Sequence, residues 1–340
     1  MKRTAGIVGT GLVGGSIAAG LTAAGWDVVG YDADQESIEV ALERGLMSVA
    51  LDSVEELLAT TPGIVVVAAP PMATVEILEN LDTQLVVMDV AGVKAEVMSA
   101  AAHLPKFVGT HPMAGRETAG PRFASAALFR GANWVVIDGC AQGPTELIVA
   151  LVGTLGANPV MMSAAQHDRA VAVISHLPQL LAAGLLNSAS ETPNALDLAA
   201  GSFRDLTRVA ASQPLPWVEI LKSNSSAVLS AVEALRGQLT TIEASILSDD
   251  DDLLAYLSTS RTMRRSLGAP VVAVRVSLAD EPGEIARVGH ALETSHVDVR
   301  DLQMRHAPHG GGGVLTLSVR AGEEEALRHA LSDLGLQTIP

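Results

Sequence analysis

Residues 4–20 read TAGIVGTGLVGGSIAAG, an apolar strand-like run, a glycine-rich turn Gly9-Thr10-Gly11-Leu12-Val13-Gly14, and a helical segment without a break between them. In that setting the G-x-G-x-x-G spacing has a physical meaning. The first glycine permits the tight turn, the second lets a pyrophosphate approach the backbone, and the third lets helix and strand pack closely, with the anion resting on the helix N-terminus. The next apolar run, WDVVGYD, ends at Asp32, about 20 residues downstream, where a carboxylate accepts hydrogen bonds from ribose hydroxyls and repels a 2′-phosphate. The pattern therefore implies a dinucleotide site for NAD rather than NADP. Asp34 lies past the strand end and is read as the cap of the following helix, DQESIEVALERG. A further run ends in Ala68-Ala69-Pro70-Pro71, where Ala69 and Pro70 leave the backbone open to a nicotinamide ribose.

Outward from this loop the apolar runs GIVVVAA, QLVVMDV, FVG and NWVVID alternate with helical patterns, the rhythm of a parallel sheet with crossover helices. Residues 1–162 are thus expected to form an α/β Rossmann-type domain. From 163 to 266 the strand signals stop, and Ala- and Leu-rich text with helical spacing implies an all-α domain. Long apolar helices with no sheet to cover are commonly buried against a second copy, so a homodimer is expected. Asp249 to Asp252 has neither the spacing nor the glycine of a calcium loop and is read as a solvated helix start. After Gly268-Ala269-Pro270, the strands VVAVRVSL, VDVRDLQM and VLTLSVR alternate with two helical segments, giving a small α+β module over 269–340.

The chain has 340 residues, 48% hydrophobic, 3% aromatic and 18% charged, which fits a globular protein with several cores. Gly interrupts the N-terminal apolar run and no small-residue cleavage pattern follows, so no signal peptide is read. No stretch reaches the roughly 18 uninterrupted apolar residues of a spanning helix, and a cytoplasmic, non-membrane protein is expected. Cys140 is the single cysteine, so no internal disulfide and no thiolate metal cluster is expected. A net charge of −16 argues against nucleic acid and disfavours an acidic ligand unless positive charge gathers locally. Such a grouping occurs at 105–135, where Lys106, Arg116, Arg122 and Arg130 face one acid, Glu117. His111 opens this segment just after a strand end, where open α/β sheets bind ligands.

Three motifs then occur in order: GTHPMAG (109–115), MSAAQHDRAVAVISHLP (162–178) and GSFRDLTRVAASQPLPW (201–217). With the nucleotide loop, they make residues 1 to about 265 resemble the prephenate dehydrogenase family. The resemblance implies oxidation of prephenate with NAD and loss of CO2 to give 4-hydroxyphenylpyruvate, or, for members that take arogenate, tyrosine. It implies that His111 hydrogen-bonds the ring C4 hydroxyl and takes its proton as hydride leaves, and that Arg208 grips a substrate carboxylate through its planar fork. Arg204, one turn earlier, competes for that face, although Asp205 offers it a structural partner. His176 is placed in the substrate pocket, and His167 is read as positioning a helix. The chain departs from the family twice. Asp-x-x-Ser-Val-Lys becomes Asp89-Val90-Ala91-Gly92-Val93-Lys94, which removes a serine hydroxyl from the site. His-Leu-Pro-His becomes His176-Leu177-Pro178-Gln179, and the neutral amide of Gln179 favours prephenate over an amino substrate.

In the C-terminal module, Asp280-Glu281-Pro282-Gly283-Glu284 between a strand and a helix resembles the opening turn of an ACT domain, a βαββαβ unit that binds amino acids. Gly283, with Asp280 and Pro282, would let a ligand carboxylate meet backbone amides, which implies tyrosine as effector. A degenerate module kept for dimerisation is the competing reading. His306, His309 and Gly310 to Gly313 are read as a hairpin loop and not a metal site. Two functional alternatives stay open, arogenate as the substrate and a non-catalytic sensor of NAD and amino acids.

Overall fold

The structure is a computed structural model that describes residues 3–115, 118–267, 271–306 and 312–339. It divides into two compact units, Met1–Gly237 and Gln238–Pro340.

In the first unit the chain runs β1 (Thr4–Val8), α1 (Leu12–Ala23), β2 (Asp27–Tyr31), α2 (Gln35–Glu43), β3 (Val49–Ala50), α3 (Val54–Ala59), β4 (Ile64–Val67), α4 (Pro71–Asn80), β5 (Val87–Asp89), α5 (Ala95–Ala100) and β6 (Phe107–Val108). The six strands form one parallel sheet in the order β3-β2-β1-β4-β5-β6. In β4, Ile64 and Val66 enter one apolar core while Val65 and Val67 enter the other, so the strand is covered on both faces and must read as a continuous apolar run. The order reverses between β1 and β4. That reversal sets the glycine loop after β1 beside Ala68–Pro70 after β4, at the crevice where such sheets take ligands.

The structure departs from the expected single sheet at NWVVID. β7 (Thr110–Pro112), β8 (Asn133–Ile137) and β9 (Asn158–Met162), with α6 (Gln142–Thr154) between the last two, make a separate sheet in the order β7-β8-β9. Only Gly109 separates β6 from β7. The chain leaves the parallel sheet still extended and pairs antiparallel with β8, which places His111 opposite Val135.

The helical part opens with α7 (Ala164–Val171), started by a capping box between Ser163 and Gln166. A π-turn over Ala172–His176 leads into α8 (Leu177–Ser190). Such turns recur at functional sites because they re-aim side chains. By length and composition alone, the continuous helix Ala164–Ser190 could cross a membrane; in this fold it delivers His167, Asp168 and His176 to one place. α9 (Gly201–Thr207), a tight turn over Arg208–Ala211, α10 (Pro214–Ser223) and α11 (Ser225–Leu247) follow, and the division between the units falls within α11.

The second unit continues with α12 (Asp250–Ser266), where Asp249 is the cap residue and Asp250 to Asp252 form the first turn, carboxylates placed favourably for the helix dipole. Then come β10 (Val271–Leu278), α13 (Glu284–Ser295), β11 (Val299–His306), β12 (Gly313–Arg320), α14 (Glu324–Asp333) and β13 (Gln337–Ile339), a βαββαβ order. The sheet, β11-β12-β10-β13, is antiparallel. Val274, Val276 and Leu278 alternate inward against Val288, Ala291, Leu327 and Leu331 of the two helices. The Gly268-Ala269-Pro270 connection lies outside the described residues.

Candidate active site

The glycine loop divides its roles as its spacing implies. Gly9 has φ +93°, and a Cβ there would stand 2.6 Å from the Ala68 carbonyl oxygen. A Cβ on Gly14 would stand 1.9 Å from the Gly9 carbonyl oxygen, so only glycine lets the helix start so close to the turn. Gly11 is the opposite case, since no heavy atom counted around it lies within 4 Å of its Cβ position. Helix α1 begins at Leu12 with no side chain capping it, which leaves first-turn amides for an anion. These features fit a dinucleotide pyrophosphate passing over Gly11, Leu12 and Val13.

Asp32 Oδ2 accepts from the Thr10 N–H (2.6 Å) and the Thr10 hydroxyl (3.0 Å), and Oδ1 accepts from the Asp34 N–H (3.0 Å). The carboxylate thus ties the loop to the end of β2. Asp34 caps α2, accepting from the Ser37 N–H at 3.1 Å. On the far side, Pro70 precedes α4 and the Ala69 carbonyl accepts from the Thr74 hydroxyl at 2.9 Å.

His111 lies where the two sheets part. Its Nδ1 is 2.8 Å from His167 Nε2, and His167 Nδ1 is 2.8 Å from Asp168 Oδ1. The Asp168 carboxylate also accepts the backbone N–H groups of Lys94 and Ala95, each at 2.8 Å, which docks α7 on the N-terminus of α5. Behind this row, Lys94 Nζ is paired with Asp89 Oδ2 and donates to the Thr110 carbonyl at 2.6 Å. Asp89 and Lys94 are fully buried. Asp89 Oδ1 accepts from the Thr110 N–H (3.0 Å), and the Trp134 indole N–H donates to the Thr110 hydroxyl (3.0 Å). The strand carrying His111 is thereby held by a buried, fully partnered polar network.

Burial holds His111 well below the ordinary imidazole range, and nearby His167, Lys94 and His176 push the same way. Burial lowers the Lys94 ammonium as well, against the pull of Asp89. For Asp168, burial pushes upward, but the hydrogen bonds from His167 and from the Ala95 and Lys94 amides outweigh it and the carboxyl is lowered. A Cβ on Gly92 would sit 3.7 Å from both Cε1 and Nε2 of His111, so Gly92 borders the open nitrogen of the ring.

His176, at the end of the π-turn, is 2% exposed. Its Nδ1 is 3.3 Å from Asn224 Nδ2, which also donates to the Asp168 carbonyl at 2.7 Å, and its ring meets Trp217 edge-on. Burial lowers its proton affinity too. Gln179 follows one turn later on α8, its side-chain oxygen buried and without a partner among the described residues. α9 and the turn that starts at Arg208 pack along α8. Arg208 and Arg204 are both exposed, and Arg204 donates to the Ala199 carbonyl at 3.3 Å.

Among the described residues of 105–135, Lys106, Arg122 and Arg130 lie at separate places in the fold. Lys106 precedes β6, at the strand's opposite end from His111, and Arg130 packs over Gly156. Arg122 lines a shallow cavity of about 210 Å³ with Asp34 and Ser37. Arg116 and Glu117 lie outside the described residues. Sequence reasoning gave no role to Asp168, Lys94, Asp89, Asn224 or Trp217, and it gave His167 a helix role, whereas the structure sets His167 against His111. The adjacency QHD was the available signal, because consecutive helical residues rarely point to one site unless a buried polar network gathers them.

In the second unit, Asp280, Pro282 and Gly283 line a cavity of about 360 Å³ with Leu278 and Met304. Gly283 has φ +102° and stands at the start of α13. Glu284, 9% exposed, accepts from the Ala279 N–H (3.3 Å) and from Arg287 (2.5 Å) at the cavity edge. His309, Gly310 and Gly311 lie outside the described residues, as does the side chain of His306.

Residues 17–158 match the family described as "Prephenate dehydrogenase, nucleotide-binding domain", and residues 163–259 match "Prephenate dehydrogenase, dimerization domain". The prephenate dehydrogenase of Bacillus subtilis is 30% identical over 321 residues, covering 86% of this chain and 85% of that one. That of Lactococcus lactis is 30% identical over 280 residues, 75% and 77% of the two chains. Among solved structures, Aquifex aeolicus prephenate dehydrogenase in complex with hydroxyphenyl propionate and NAD+ superposes with a TM-score of 0.72 at 27% identity, over 79% of this chain and 99% of that one. Synechocystis arogenate dehydrogenase gives 0.69 at 27% identity, over 78% and 100%.

Proposed function

The chain belongs to the prephenate dehydrogenase family, and from that premise we propose how its residues divide the work of an NAD-dependent prephenate dehydrogenase. The reaction oxidises prephenate at ring C4 with loss of the ring carboxylate as CO2. NAD, when bound, supplies the hydride acceptor. Gly9 to Gly14 take its pyrophosphate, Asp32 its ribose hydroxyls, and Ala69 and Pro70 border its nicotinamide end. The observation that carries the assignment is His111: half-buried and held below the ordinary imidazole range, hydrogen-bonded among the described residues only through Nδ1, and bordered at Nε2 by Gly92.

His111 Nε2 accepts the C4 hydroxyl proton as the hydride departs, and the C4–O bond becomes a carbonyl. Breaking the bond to the ring carboxylate then releases CO2, its electron pair moves through the ring onto the C4 oxygen, and that oxygen takes a proton back from His111 to give the aromatic phenol. Aromatisation makes that step downhill, so the protein needs mainly to align the ring and take one proton. Arg208 grips a substrate carboxylate with Arg204 beside it, and His176 and Gln179 line the pocket along α8. Gln179 offers no charge to pair with an arogenate ammonium, which favours the keto acid. Its unpartnered amide oxygen is nevertheless an acceptor, so both substrates belong in the test.

The helical segment serves dimerisation, and we infer a homodimer. The C-terminal βαββαβ unit is read as an ACT-like regulatory module, with tyrosine held at Asp280, Pro282 and Gly283 on free amides at the start of α13. Three functional parts follow, 1–162 for NAD, 163–266 for substrate and pairing, and 269–340 for regulation, in a cytoplasmic enzyme. The test is NADH formation with prephenate and with arogenate, each with and without tyrosine. Turnover of prephenate, slowed by tyrosine, is expected. No turnover with either substrate would refute the enzyme assignment, and indifference to tyrosine would refute the effector assignment.

A further inference from the structure

We propose that Asp168 and His167 are positioning residues that fix the tautomer of His111, leaving its Nε2 unprotonated toward Gly92. The inference rests on His111 as the base and adds what makes it one.

The argument is one of donors and acceptors. An ionised carboxylate only accepts, so the 2.8 Å contact between Asp168 Oδ1 and His167 Nδ1 requires the proton on that nitrogen. Where His167 carries that proton alone, its Nε2 is the acceptor, and the 2.8 Å contact to His111 Nδ1 requires His111 to donate. A neutral His111 that donates from Nδ1 has its lone pair on Nε2, the nitrogen that borders Gly92.

Each member of the row is held from behind. Asp168 is fastened by the Lys94 and Ala95 amides at the start of α5, and its own carbonyl is fixed by Asn224. His167 is fully buried and has no freedom to swing away. Gly92 carries no side chain that could hold the front of the His111 ring. Among the described residues, the contact with His167 is the only hydrogen bond that ring makes. The charged and titratable groups facing His111 are His167 from α7, His176 from the π-turn and Lys94 from the turn before α5.

When His111 takes the substrate proton, both ring nitrogens become donors. Nδ1–H still points at His167 Nε2, whose acceptor strength the Asp168 carboxylate raises, so the new imidazolium is stabilised without a second proton transfer.

Two measurements test this. The first reads the parent enzyme: nitrogen-15 NMR of the histidine rings in the folded enzyme at neutral pH, with His111 assigned by the signals lost in His111→Asn. Unprotonated Nε2 and protonated Nδ1 are expected, and the reverse would overturn the proposal. The second compares His167→Gln, whose side-chain oxygen can still accept from Nδ1, with His167→Ala. His167→Ala is expected to lower kcat by about 100-fold, the lower end of what general acid–base catalysis contributes, with KM for prephenate and NAD affinity unchanged. His167→Gln should keep kcat within about tenfold of the parent, since the acceptor is retained. Equal losses in both variants, or no loss in either, would overturn it. If His167→Ala does not fold, the Gln variant and the spectrum still decide. The outcome is separable from the base assignment, because turnover retained in His111→Asn would refute that assignment whatever tautomer the spectrum shows.

Discussion

His111 works as a base only while it is neutral, so kcat/KM must fall as pH drops through its pKa. Burial, then His167, Lys94 and His176, hold that pKa well below the ordinary imidazole range, so the acid limb of kcat/KM is expected well under about pH 6.5, the unperturbed imidazole value. The same sign applies to folding. A histidine kept neutral by burial has a depressed native pKa, so its contribution is intact above the unfolded value and is lost as pH falls toward the native one. His111 and His176 both behave this way, and stability should decline from about pH 6.5 downward. A kcat/KM profile with its acid limb at or above about pH 6.5 would contradict the burial argument. At this scale the sequence was legible where a motif isolates a residue, as it does His111, Gly92 and His176. It was not legible for Lys94, Asp89, Asp168 and Asn224, because three separate segments must fold before these groups become parts of one network.

At the scale of elements, the strand–turn–helix start carried nearly all its information locally. The turn, the anion site and the acid at Asp32 lie within one βαβ unit, and local spacing determines them. The short strands β7 and β9 were not legible. β7 follows β6 after a single residue and looks like its continuation, while β9 contains Pro159 and is mostly exposed, so neither shows a full period of alternation. Two glycine substitutions separate packing from ligand approach in the loop. Gly14→Ala forces a Cβ to 1.9 Å from the Gly9 oxygen, an overpacking expected to cost roughly 1–3 kcal/mol or more and to be read as a lowered Tm. Gly11→Ala meets no atom within 4 Å, so Tm should hold while NAD affinity falls. Equal Tm losses in the two variants would show that the loop roles are misassigned.

For the whole molecule, the helical part of the first unit leaves Leu198, Leu206, Leu215 and Leu229 between 66% and 81% exposed. Large exposed apolar side chains of this kind suit an interaction surface, and the match of residues 163–259 to a dimerization domain agrees with the homodimer proposed above. Sedimentation at micromolar concentration should give twice the chain mass, and a monomer would contradict the assembly. Length, charge and strand rhythm were enough to place the α/β, helical and small-sheet parts in order. They could not show which helical faces remain open, since that depends on how each helix turns against its neighbours.

The central claim is that His111 takes the C4 hydroxyl proton during NAD-dependent oxidation of prephenate. Its most direct test is NADH formation from prephenate by His111→Asn beside the parent enzyme, with NAD binding followed in both. The account predicts turnover lowered by about 100-fold or more, the general-base contribution, with NAD affinity intact. Parent-like turnover in the variant would contradict it.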